Sequence, residues 1–120
     1  MLGKEIFLDK YRNDLEDEAR WLEFGAAFKA ASIEKLLRSR GICPETLLEL
    51  GSGTGAVIRE CQRRNLAKEY IAVDASEDAI SWARGRSPGI QCIVADITAP
   101  GFRQPQRVDV VVLSHVLEHL

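Results

Sequence analysis

The chain has 120 residues, 46 % of them hydrophobic, and a formal net charge of −2 at neutral pH. That length allows one domain with a packed core and no more. The near-balanced charge leaves no electrostatic footprint for nucleic acid or an anionic membrane, and no apolar run reaches the length of a bilayer span. Cys43, Cys61 and Cys92 are odd in number, widely spaced and free of any C-x-x-C pattern. They read as reduced residues of a cytoplasmic protein, not as a disulfide framework or a zinc site. The first ten residues lack the long apolar stretch of a signal peptide.

Residues 14 to 40 predict a long helix. Leu15, Ala19, Leu22, Ala26, Ala30, Ile33 and Leu37 recur at three- and four-residue steps, which defines one buried stripe. Trp21, Phe24 and Phe28 form a second apolar face beside it. Gly41 and Pro44 stop the helix. Residues 1–42 therefore form an N-terminal helical segment, ahead of a second unit over 43–120.

From Thr46 onward strands and helices alternate, the pattern of a parallel sheet. The strand Thr46 to Leu50 breaks into Gly51-Ser52-Gly53-Thr54-Gly55, and a helix resumes over Ala56 to Arg63 with Val57, Ile58 and Cys61 on one face. Glycines at alternate positions let a ligand lie against backbone N–H groups. Strand, glycine turn and helix N-terminus together define a nucleotide-type cofactor site. A second apolar run, Tyr70 to Val73, ends in Asp74, spaced to reach ribose hydroxyls. Ser76 is the expected N-cap of the next helix, with Glu77 and Asp78 in its first turn and Ala79, Ile80 and Ala83 facing inward. A third strand, Ile90 to Ala95, ends in Asp96. Residues 98–106 read as loop, broken by Pro100, Gly101 and Pro105. Asp109 opens a fourth strand, Val110 to Leu113, whose unbroken apolar run predicts burial on both faces. Arginines at 38–40, 63–64 and 84–86 sit at helix ends, where a cation meets the dipole favourably.

The glycine string also satisfies the dinucleotide fingerprint G-x-G-x-x-G/A through Gly51, Gly53 and Ala56, so an NAD-binding oxidoreductase is one reading. Two acids weigh against it. Glu49, two residues before the first glycine, would repel a pyrophosphate but suit a charged amino group or a sulfonium. Asp96 suits the amino edge of an adenine lying across the strand ends. Asp74 serves either cofactor.

In these blocks the chain resembles the class I S-adenosylmethionine-dependent methyltransferases, most closely the small-molecule subgroup with a Glu-x-Gly-x-Gly-x-Gly signature. The match covers about residues 46 to 120. The resemblance implies a Rossmann-like α/β fold, a parallel sheet with flanking helices, preceded by the N-terminal helical extension. It implies that Glu49, Gly51, Ser52, Gly53 and Gly55 hold the methionine part of S-adenosylmethionine. By the same resemblance Asp74 with Ala75 takes the ribose, Asp96 with Ile97 the adenine, and Ser114 lines the cofactor cleft. Val108 to Leu120 looks like the family's fourth strand and following helix, where the family continues with three more strands. The domain is therefore expected to be incomplete here, cut after its fourth strand. N-terminal helices of the family cover the cleft, a lid role for which Tyr11 and Arg12 are the polar candidates.

His115, Glu118 and His119 fit H-x-x-E-H, a zinc-protease signature, and two histidines at that spacing share a helix face. The similar cluster of the small-RNA 2′-O-methyltransferases has Glu where this chain has His115, so the expectation is no metal. The expected activity is methyl transfer by in-line displacement to a small-molecule acceptor, with His115 the candidate base. A non-catalytic interaction module retaining the fold is a third reading. The family's sheet order leaves Val110 to Leu113 as an apolar edge with no Lys, Pro or inward charge, an invitation to homodimer pairing.

Overall fold

The computed structural model describes residues 15–103 and 106–114, with side chains described from Gly25 onward. Helix α1 (Leu15–Ser39) is followed by β1 (Thr46–Leu50), α2 (Ala56–Arg63), β2 (Glu69–Asp74), α3 (Glu77–Arg86), β3 (Ile90–Val94) and β4 (Val110–Leu113). The four strands form one parallel sheet in the order β3-β2-β1-β4. This is the Rossmann-like arrangement that the resemblance implies, with β4 at an edge of the sheet as expected.

Parallel strands need crossovers, and these set the layers. Alternation along each strand sends Leu47, Tyr70, Ala72, Ile90 and Cys92 to one face. There they pack with Ala26 and Ala30 of α1, Ala56 to Ile58 and Cys61 of α2, and Ile80 and Ala83 of α3. Small alanines let α1 pack closely on α2 and α3 on the sheet. The buried stripe read from the sequence is present at Ala26, Ala30 and Leu37, and Ile33 packs against the same cluster. Gly41, at φ +64°, closes α1 as Ile42 N donates back to Leu37 O at 2.9 Å, a left-handed stop that glycine makes without strain. Cys61 and Cys92 are buried, as expected, and Cys43 is exposed.

The other face is thinner. Leu48, Ile71 and Val73 are covered by Ala95, Ile97, Phe102 and Val108 from the segment that carries the chain from β3 across to β4. This changes one expectation. β4 is not buried on both faces: Val111 and Leu113 are 45 % and 49 % exposed. A run of apolar residues at an edge has a neighbour strand on one side only, and the thin cover does not reach it. The second apolar face proposed for α1 is likewise not packed at Phe28, which is 72 % exposed. Trp21 and Phe24 lie outside the described side chains.

The arginines at the helix ends have specific work. Arg64 joins Glu34 of α1 at 2.9 Å and so ties α2 to α1. Arg84 donates through Nη2 to Cys92 O at 2.9 Å, fastening α3 to β3. Ser76 caps α3 as predicted, accepting from Ala79 N at 3.1 Å. Asp109 Oδ2 accepts from Glu45 N at 2.7 Å and Thr46 N at 3.2 Å, which sets the register of β4 on β1.

Candidate functional site

Strand β1 lies between β2 and β4, where the chain's direction of progress across the sheet reverses. In open α/β sheets the crevice beyond the strands' carboxyl ends at such a point is where ligands bind. The glycine turn after β1 occupies that place. Gly51, Gly53 and Gly55 have φ of +74°, +56° and +84°, a region that only glycine enters freely. Gly51 N and Ser52 N both donate to Val73 O, at 2.8 and 3.0 Å, and Gly55 N closes the turn onto Ser52 O at 2.9 Å. Gly55 is also the N-cap of α2, with no side-chain cap, so the helix start presents backbone N–H groups at the turn.

Asp74 meets the turn directly. Its Oδ1 accepts from Gly53 N and its Oδ2 from Ser76 N, both at 3.0 Å. Each carboxylate oxygen has two lone pairs, so Asp74 organises the turn and retains acceptor capacity toward the crevice. The sequence placed Asp74 at the cleft mouth as a ligand residue only; the structure adds that it braces the turn. Ala75, beside it, is exposed.

Glu49 lies deeper than the glycine turn. It is 1 % exposed, one layer below the cleft mouth, on the sheet face that α1 and α2 cover. Its strand partners there are Ala72 and Val112. Burial pushes its carboxyl up from 4.5 to about 8, against the hydrogen bonds from Ser114 and the Ile58 backbone that favour the anion. Burial therefore favours the neutral form of this acid.

Three buried side-chain atoms of this segment, Glu49 Oε1, Ser52 Oγ and Thr54 Oγ1, have no hydrogen-bond partner among the described residues. Buried polar atoms are normally paired. Three such atoms fall within residues 49–54.

Asp96 lies beyond the end of β3, and the ladder continues toward it as Ala95 N donates to Asp74 O at 3.0 Å. It is exposed, and its Oδ1 accepts from Thr98 N at 2.9 Å and Thr98 Oγ1 at 2.6 Å. Those two bonds hold its carboxyl below the usual range. Asp96 therefore builds its own turn as well as standing at the strand ends. Ile97 is half-buried against the thin-face cluster, and Ser114 reaches Glu49 from the end of β4. The structure thus gathers the glycine turn, Asp74, Glu49 and Ser114, and sets Asp96 and Ile97 beside them along the strand ends. His115, Glu118, His119, Tyr11 and Arg12 lie outside the described residues. Among the described residues no group of three acids, histidines or cysteines is placed to hold a metal.

One supporting residue escaped sequence reading. Arg59 of α2 is 4 % exposed, and its Nη1 donates to Thr54 O at 2.6 Å and Ser87 Oγ at 3.0 Å. It locks the glycine turn to the end of α3. An arginine inside a short helix gives no sign of burial in the sequence; only the folded turn supplies its acceptors.

The chain belongs to the methyltransferase-domain family, whose model matches residues 48–120. Among solved structures, Streptomyces venezuelae DesVI is 27 % identical with a TM-score of 0.67, over 90 % of this chain and 42 % of that one. CalS10, an amino pentose methyltransferase from Micromonospora echinaspora solved with SAM bound, is 23 % identical with a TM-score of 0.68, over 81 % of this chain and 40 % of its own. The plantazolicin methyltransferase BpumL, solved with a monoazolic desmethylPZN analog and SAH, shares 19 % identity and a TM-score of 0.72, over 93 % of this chain and 44 % of its own. The last two show likeness of fold. The chain spans less than half the length of these structures. No curated protein matches it significantly.

Proposed function

We propose that this chain is the cofactor-binding part of an S-adenosylmethionine-dependent methyltransferase that acts on a small-molecule acceptor. The observation that carries the reading is the glycine turn at the switch point, braced by Asp74 and holding three orphaned buried polar atoms. Family membership and the S-adenosyl ligands of the structural neighbours support it. The donor set fits the cofactor. The Ser52 hydroxyl and the backbone N–H groups at the start of α2 would meet a carboxylate, Glu49 would take a cationic amino group, the remaining lone pairs of Asp74 would receive ribose hydroxyls, and Asp96 with Ile97 would take the adenine.

Bound S-adenosylmethionine supplies a methyl group on a sulfonium, already activated for displacement. The work left to the chain is alignment of the cofactor with its acceptor. For an amine or hydroxyl acceptor, His115, which follows Ser114 in the sequence, is the residue assigned to take the proton. The amino sugar and plantazolicin analogs named for the neighbours support an acceptor of small-molecule class. The exposed Val111 and Leu113 on edge strand β4 support pairing of two copies. No described helix is long and apolar enough to cross a membrane, and the unpaired cysteines support a reducing, cytoplasmic location.

Equilibrium binding of S-adenosylhomocysteine and NAD, by titration calorimetry, tests the reading. Saturable binding of S-adenosylhomocysteine with no NAD binding is expected. Tight NAD binding without response to S-adenosyl ligands would replace it with the oxidoreductase. If neither ligand binds or raises the thermal midpoint, the chain is a non-catalytic module that retains the fold.

A further inference from the structure

The two halves of the glycine turn are held in different ways. The first half is tied to β2 by backbone, since Gly51 N and Ser52 N both donate to Val73 O. The second half leans on side chains. Arg59 Nη1 donates to Thr54 O at 2.6 Å, and Gly53 N donates to Asp74 Oδ1 at 3.0 Å. Between these two bonds Gly55 N donates to Ser52 O at 2.9 Å. Resting on the S-adenosyl reading above, we infer that Arg59 is a positioning residue for the cofactor: through two peptide planes of the turn it fixes the Asp74 carboxylate that receives the ribose.

The peptide geometry carries the link. The peptide bonds of the turn are trans, so each C=O points away from the N–H that shares its plane. Thr54 O and Gly55 N belong to one such plane. With Thr54 O held by Arg59, the Gly55 N–H is turned to the opposite side, onto Ser52 O. Ser52 O and Gly53 N belong to a second plane, which is thereby set so that the Gly53 N–H meets Asp74 Oδ1. Gly53 and Gly55 make the restraint necessary, because residues without Cβ let the planes beside them rotate at little cost. Arg59 itself is anchored: Nη1 also donates to Ser87 Oγ at 3.0 Å, at the end of α3. A Cβ on Gly55 would stand only 2.9 Å from that nitrogen, so the guanidinium and the turn are already in close contact. One helical turn further along α2, Gln62 Nε2 donates to Pro88 O at 2.9 Å. Helix α2 thus grips the α3–β3 connection at two points, and of these the Arg59 contact reaches the glycine turn.

Calorimetric titration with S-adenosylhomocysteine, on variants whose folding is first checked by circular dichroism, tests the relay. Arg59→Met should bind about tenfold or more weakly, the worth of one charge-assisted bond, with faster amide exchange at Gly53 and Gly55. Introduced into Asp74→Ala, the same change should weaken binding by less than about twofold, since two members of one network do not add. Gln62→Met, which opens the other grip on the connection, should bind as wild type does; this separates positioning from loosening of the α3 end. Arg59→Lys offers one nitrogen to the same two acceptors and should recover most of the affinity and of the Gly53 protection. If Arg59→Met does not fold, the lysine variant carries the test, because its affinity and its Gly53 protection must change together. Wild-type affinity in Arg59→Met, an equal loss in the Asp74→Ala background, the same loss in Gln62→Met, or affinity and Gly53 protection that part company would each overturn the inference and leave the cofactor reading intact. Failure of the wild-type chain to bind S-adenosylhomocysteine would overturn both.

Discussion

Replacement of Arg59 by Met removes a charged side chain whose single Nη1 atom serves two acceptors, Thr54 O at 2.6 Å and Ser87 Oγ at 3.0 Å. Thr54 is 1 % and Ser87 3 % exposed, so water cannot readily take the place of the guanidinium. A hydrogen bond to a charged donor contributes about 1.5–3 kcal/mol. Part of this is offset because the desolvation of a buried cation is also removed. A net loss of about 2–4 kcal/mol is expected, large against the roughly 5–15 kcal/mol total of an ordinary domain. The loss should concentrate in the glycine turn, because Thr54 O is the turn's own carbonyl. Urea unfolding followed by circular dichroism measures the global term, and amide exchange at Ser52 to Gly55 the local one. Gly55 provides a coupling control. A Cβ there would stand 2.9 Å from Arg59 Nη1, so Gly55→Ala should cost less in the Arg59→Met background, by more than the ~0.5 kcal/mol scatter of independent sites. An Arg59→Met protein with unchanged midpoint, unchanged turn exchange and additive behaviour with Gly55→Ala would refute the brace.

Asp74→Ala should weaken S-adenosylhomocysteine binding by about 1.5–3 kcal/mol and, since Gly53 N and Ser76 N lose their acceptor, accelerate exchange of those two amides; calorimetry and exchange together check it. Stability should fall as pH rises from 4.5 toward 8, because the folded pKa of Glu49 is raised to about 8 and the unfolded chain ionises first. Between pH 6 and 8 this amounts to about 2–3 kcal/mol, a drop of roughly 10 °C or more in the thermal midpoint, and Glu49→Gln should flatten it. Light scattering should find the chain associating through β4, and Val111→Lys should return it toward monomer; a wild-type monomer with freely exchanging Val110 to Leu113 would contradict pairing.

The fold was legible because its signals are local. Short apolar runs, glycine breaks and the Ser76 cap each depend on neighbours in sequence, and together they fix the strand boundaries to within a residue. The positions of Gly51, Gly53, Gly55 and Asp74 were legible for the same reason. The burial of Glu49 was not legible, because proximity to the turn in sequence says nothing about the layer its side chain enters. Strand alternation puts it on the face of Leu47, and α1, distant in sequence, buries it. Arg59 was invisible on similar grounds, its acceptors lying 5 and 28 residues away. The exposure of Val111 and Leu113 depends on how far the segment after β3 extends over the sheet, which no pattern within β4 records.

The central claim is that the turn from Gly51 to Gly55, with Asp74, is a cradle for an S-adenosyl ligand. Backbone amide shifts of the isotope-labelled chain, followed by NMR as S-adenosylhomocysteine is added, test it residue by residue. The account predicts that the largest saturable changes fall at Gly51, Ser52, Gly53, Asp74 and Ala75, with a second group at Asp96 and Ile97, while β4 and the exposed face of α1 stay still. Saturable changes centred elsewhere, with the glycine turn unmoved, would contradict it.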